Sequence, residues 1–104
     1  MIITTSEKIK GKEIKETLGL VRGNTIRAKN IGQDIIAGLR NIVGGEIKEY
    51  TAALSEAREI ALKEMVEEAE SKGADAIISV RFTTSQVMSG AAELLVYGTA
   101  VKFE

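Results

Sequence analysis

Apolar positions along this chain change their period several times, and each change marks an element. Ile2-Ile3-Thr4-Thr5 reads as a short strand of β-branched residues, and Gly11 sits in a polar turn. From Ile14 to Lys29 the residues alternate: Ile14, Leu18 and Leu20 fall on one face, Lys15, Thr17 and Val21 on the other. Gly19 and Gly23 interrupt that alternation, which fits one long bent strand or a tight hairpin centred near Gly23-Asn24. The period then lengthens. Ile31, Ile35, Leu39 and Ile42 share one face of a short helix, with Asn30 as its N-cap and Gly44-Gly45 as its stop.

The longest helical pattern runs from Glu46 to Lys72. Ile47, Tyr50, Leu54, Ala57, Ala61 and Met65 form its inward stripe, widened by Ala53, Ile60, Leu62 and Val66, and Gly73 is its C-cap. Alternation returns with Ala74, Ala76, Ile78, Val80 and Phe82 on one face, against Asp75, Ile77, Ser79, Arg81 and Thr83. Ser85 to Ala92 reads as a small-residue loop around Ser89-Gly90, and Glu93 to Phe103 as the last strand. That strand is apolar twice over: Leu95, Tyr97, Val101 and Phe103 line one face, Leu94, Val96 and Ala100 the other. One long helix can cover only one face of a small sheet. Self-association is the simplest cover for the other.

Composition narrows the chemistry. The 104 residues include no Cys and no His, so there is no thiolate nucleophile, no imidazole base and no soft metal ligand beyond methionine. Fourteen basic and fifteen acidic residues almost cancel, but unevenly. Residues 1–45 carry eight basic and four acidic side chains, residues 46–72 four and eight, residues 73–104 two and three. Because the early lysines alternate with Glu7, Glu13 and Glu16, this polarity suits subunits that neutralise one another better than a nucleic-acid surface. Only Tyr50, Phe82, Tyr97 and Phe103 are aromatic, too scattered to stack bases. No apolar run approaches the roughly 18 residues of a membrane span, and the Met1-Ile2-Ile3 start makes no signal peptide. A single domain over 1–104, cytoplasmic, with no nucleic-acid or membrane partner, is expected.

Phosphate-loop, dinucleotide and zinc-protease motifs are absent. Glu64, Glu67 and Glu68 share a helix face and could hold a hard cation, although a charged run on an amphipathic helix is usually its solvated side. The segment from Gly38 to Glu46 is the candidate ligand site. Arg40, Asn41, Gly44, Gly45 and Glu46 fall in one joint between two helices, where backbone NH groups beside a helix start could cradle an anion, with Arg58 in support. The competing reading leaves Arg40 and Asn41 on helix-end carbonyls and Glu46 paired with an arginine.

Five segments, ETLGLVRGNTIRAKNIGQDI (16–35), AGLRNIVGGEI (37–47), YTAALSEAREIAL (50–62), KGADAIISVRF (72–82) and YGTAV (97–101), resemble the YbjQ family. These are small bacterial and archaeal proteins without an assigned function, labelled in places a heavy-metal-binding domain. The resemblance implies an α+β fold of the dodecin-like type: a small curved antiparallel sheet backed by one long and one short helix. It also implies a homo-oligomeric ring, a pentamer. The metal label sits badly with this composition, since the only soft donors are Met1, Met65 and Met88.

Three functions follow as expectations. The first is a non-enzymatic homo-oligomer that binds a small ligand between subunits, with no cofactor, no metal site and no catalytic residue. The second is an anion, phosphate-ligand or metal-binding protein using the Arg40–Glu46 joint, helped by Arg22, Arg27, Arg58 or Arg81. The third is an enzyme whose carboxylates and Tyr97 act across a subunit contact.

Overall fold

The computed structural model describes residues 1–27, 48–88 and 91–104. Within them, strands β1 (Ile2–Ile3), β2 (Ile14–Arg27), β3 (Ala76–Met88) and β4 (Ala91–Phe103) form one sheet. Their order is β1-β3-β4-β2. Helix α1 (Lys48–Ser71) lies on one face of it. The fold is therefore α+β, but the sheet is mixed. β1 runs parallel to β3, pairing Ile2 with Ala76 and Ile3 with Ile77, while β2 and β3 flank β4 antiparallel. An all-antiparallel sheet is corrected here because the N-terminal strand and β3 point the same way. The short helix expected at 31–42 lies outside the described residues.

Helix α1 is held to the sheet by small residues. Ala57, Ala61, Met65 and Ala69 recur every fourth position and are buried, the last three packed with Val21, Ile77, Val80, Val96 and Ala100. Side chains this small let the helix backbone come down onto β2. At Gly23 a methyl group would fall on the Ala61 carbonyl oxygen and 2.7 Å from the Met65 amide nitrogen, both backbone atoms. The buried Thr25 hydroxyl completes the contact by donating to the Ala57 carbonyl at 3.0 Å. Leu54, Leu62 and Val66 are half-buried, whereas Ile60, expected on the stripe, is exposed. Ile60 fails because the helix rests on a narrow alanine ridge, too close to the sheet to bury a broad arc. The helix ends in a Schellman motif: Ala74 donates to the Ala69 carbonyl and Gly73, at φ +74°, to that of Glu70.

Four bulges bend the strands on either side of β4, the last of them at Val87 between Gln86 and Met88. In β2, Lys15 and Leu18 are extra residues, the second followed by Gly19 at φ +110°. In β3, Ser79 and Val80 together stand opposite Gly98, and Ser79 takes φ +54°. Each bulge resets the alternation, which corrects two facial assignments. Leu18 packs with Val21 on the helix side, while Leu20 points the other way. Ile77 and Val80 join the main core, while Ala76 and Ile78 form a second cluster with Val101, Ile9 and Phe103 on the opposite face. Gly23-Asn24 is mid-strand, not a hairpin tip. Ser85–Met88 and Ala91-Ala92 are paired strand rather than loop, and Ser89-Gly90 lies outside the described residues.

Strands of 13 and 14 residues reach roughly 43–46 Å at about 3.3 Å per residue. The chain is accordingly long, 54 × 26 × 16 Å, with a radius of gyration of 16.9 Å. A compact chain of this length would have about 13 Å.

The close approach at Gly23 generates a stability prediction. Gly23→Ala is expected to lower the unfolding free energy by about 3 kcal/mol, because only backbone atoms could yield. Urea denaturation of the variant checks it, and a loss below 0.5 kcal/mol would refute the close packing.

Candidate functional site

Alternation on β2 sends Val21, Gly23 and Thr25 to the helix, and leaves Leu20, Arg22, Asn24 and Ile26 on the other face. On β4, Leu94, Val96, Gly98 and Ala100 are buried, while Leu95 and Tyr97 share the opposite face. The register aligns these residues in rows, since directly paired residues put their side chains on the same face. Arg22, Tyr97 and Arg81 form one row across β2, β4 and β3. Asn24, Leu95 and Thr83 form the next, and Ile26, Glu93 and Ser85 the one after. Asn24 donates its side-chain amide to the Glu93 carboxylate at 3.1 Å.

This face is apolar and basic, and it stands open. Leu20 is 60% exposed, Ile26 58% and Tyr97 38%. One end of it is closed by the Ala76–Ile78–Val101 cluster under Ile9 and Phe103. The rest carries two guanidinium groups flanking a tyrosine, a set suited to carboxylates, phosphates or acidic side chains.

Arg81 owes its place to the β3 bulge. Without the extra residue at Ser79-Val80, alternation would turn Arg81 toward the helix. The bulge also ties down the N-terminus: Ser79 donates its amide to the Ser6 carbonyl at 2.9 Å and Val80 to Thr4 at 3.0 Å. Arg81 adds its own bonds, Nη1 donating to the Thr5 carbonyl at 2.9 Å and to the Val80 carbonyl at 2.8 Å.

Of the expected ligand residues, Arg40, Asn41, Gly44, Gly45 and Glu46 lie outside the described residues. Arg58 is exposed on α1, where its Nη2 donates to the Ser55 hydroxyl at 3.2 Å. The helix and the Arg22–Arg81 row lie on opposite sides of the sheet, so Arg58 does not join those arginines. The side chain of Arg27 lies outside the described set. In the sequence Arg22, Arg81 and Tyr97 stand singly. No signal along the chain joins residues this far apart, since their meeting depends on strand register and one bulge.

The YbjQ family model, described as "Putative heavy-metal-binding", matches residues 1–104. The chain belongs to the YbjQ family. This YbjQ chain is 62% identical over 102 residues to a UPF0145 protein of Methanosarcina acetivorans, covering 98% of this chain and 96% of that one. It is 61% identical over 104 residues to one from Dehalococcoides mccartyi, covering both chains fully. A solved structure from Pediococcus pentosaceus, a protein of unknown function in the DUF74 family, shares the fold at TM-score 0.65 and 18% identity. That likeness covers 100% of this YbjQ chain and 98% of the other.

A heavy-metal site does not fit the donors of this YbjQ protein. Cys and His are absent, Met65 is sealed in the core, and Met1 is at the exposed N-terminus. Among the described residues no three Asp or Glu side chains lie together so as to hold an ion. The same residues include no helix long and apolar enough to cross a membrane.

Two predictions belong to this site. Isothermal titration with Zn2+ or Cu+ is expected to give no stoichiometric site tighter than micromolar, and a sub-micromolar one would contradict the donor argument. Arg81→Ala is expected to speed amide exchange at Ser79 and Val80 about fivefold, by releasing the Thr5 carbonyl. Unchanged exchange there would show that the N-terminal segment is held without it.

Proposed function

We propose that this protein works as a non-enzymatic homo-oligomeric assembly, a ring, with a small ligand held where subunits meet. The observation that carries the reading is the open sheet face, where Leu20, Ile26 and Tyr97 are left to water beside Arg22 and Arg81. A monomer of this size rarely leaves so much apolar surface on the side opposite the one covering helix among the described residues. Both sheet edges support the same reading. The outer edge of β2 and the part of β3 beyond its pairing with two-residue β1 have no strand neighbour among the described residues. Long unpaired edges of this kind are ordinarily covered by another chain or blocked.

A pentamer is the ring size that the family resemblance favours, and the cytoplasm the compartment that a chain without cysteine suits. The absence of a nucleophile–base pair on the face supports a binding rather than a catalytic role.

Native mass spectrometry of the full chain at micromolar concentration tests the reading. The expected result is a single species at an integer multiple of 11.2 kDa, five for the favoured ring. A species at 11.2 kDa alone would end it.

A further inference from the structure

The open face of the sheet and the free flank of the helix are complementary. On the sheet, Arg22 and Arg81 stand among the apolar groups Leu20, Leu95 and Tyr97. On α1, Ile60 is 41% exposed. Glu64 and Glu67, four and seven residues further on, are exposed on the same flank. Glu93 also lies on the sheet face and Lys63 on the helix flank, so each surface offers apolar contact with an excess of one charge, and the two excesses are opposite. Two copies laid sheet to sheet would set arginine rows against each other, a like-charge juxtaposition that disfavours the two-fold arrangement. A head-to-tail contact avoids it.

We propose that the occupant of the open sheet face is a second copy of this chain, presenting the Ile60–Glu64–Glu67 flank of its helix. Ile60 packs against Leu20 and Tyr97, and the two carboxylates face the Arg22–Arg81 row. The contact is heterologous: every protomer uses its sheet face toward one neighbour and its helix flank toward the other. Repetition of a heterologous contact closes into a ring when the rotation permits. This inference rests on the assembly proposed above and names the surfaces that make it. Charge placed at the rim of such a contact governs partner choice and orientation, and its reversal is strongly disruptive.

A charge swap tests it on the full-length protein. The variants are Arg22→Glu, the pair Glu64→Arg with Glu67→Arg, and all three changes in one chain. All of these side chains are exposed, and far-UV circular dichroism confirms folding before assembly is measured by light scattering. Arg22→Glu and the Glu64/Glu67 pair are each expected to weaken assembly at least tenfold, and the triple variant to regain it. Folded variants that assemble like the wild type would overturn these surfaces while leaving the ring standing. So would weakened variants that the triple change fails to rescue. A wild-type chain that is monomeric would instead overturn the assembly itself.

Discussion

Everything in this fold depends on how near helix α1 lies to strand β2. Ala57, Ala61 and Ala69 give the helix a ridge without bulk, and Gly23 gives the strand a place with no side chain. Backbone then meets backbone, sealed by the Thr25 hydroxyl on the Ala57 carbonyl. Close packing of this kind maximises dispersion contacts over a small area but covers little width. The helix therefore rests mainly on β2 and β4 and barely reaches β3, so Phe82 is left exposed on the helix side. No second layer of comparable size lies among the described residues to cover the opposite face.

Bulges decide what that face displays. β4 runs without an extra residue, while its neighbours absorb four between them. The bulge at Ser79 costs something, since a serine at φ +54° occupies a region that suits glycine better. It is held by bonds from the N-terminal segment, whose carbonyls at Thr4 and Ser6 accept the two amides the bulge releases. In return Arg81 emerges beside Tyr97 and level with Arg22. A local irregularity thus converts three scattered side chains into one basic and aromatic row.

These two facts also explain what the sequence disclosed and what it withheld. The long helix was legible from its four-residue stripe and its Gly73 cap, and its bounds at Lys48–Ser71 fall inside the expected 46–72. The last strand was legible because both of its faces are apolar. Alternation failed beyond Thr17, where Gly19 marks an interruption but not the side to which later residues turn, and beyond Ile78, where no glycine marks it, because a single inserted residue inverts every later side chain. Ser79 is the hardest case, being a residue that does not announce a left-handed turn. The parallel β1–β3 pairing was equally hidden, since β1 is two residues long and its direction is set by tertiary contacts. The row of Arg22, Tyr97 and Arg81 could not be read from one dimension. Its members are brought level only by the register of β4 against both neighbours.

The near-neutral net charge conceals an acidic helix and, on the opposite side of one thin chain, a sheet face where Arg22 and Arg81 outnumber Glu93. A thickness of 16 Å leaves little interior of its own, and Leu20, Ile26 and Tyr97 remain exposed on the sheet face, surface that the proposed assembly would bury. Hydroxyl-radical footprinting of the intact protein measures this most directly, by reading Leu20, Ile26 and Tyr97 in native solution against the urea-unfolded chain. Burial of the sheet face between copies predicts strong protection at all three residues. Reaction of Leu20 and Ile26 at rates matching side chains that are 60% and 58% exposed would contradict it.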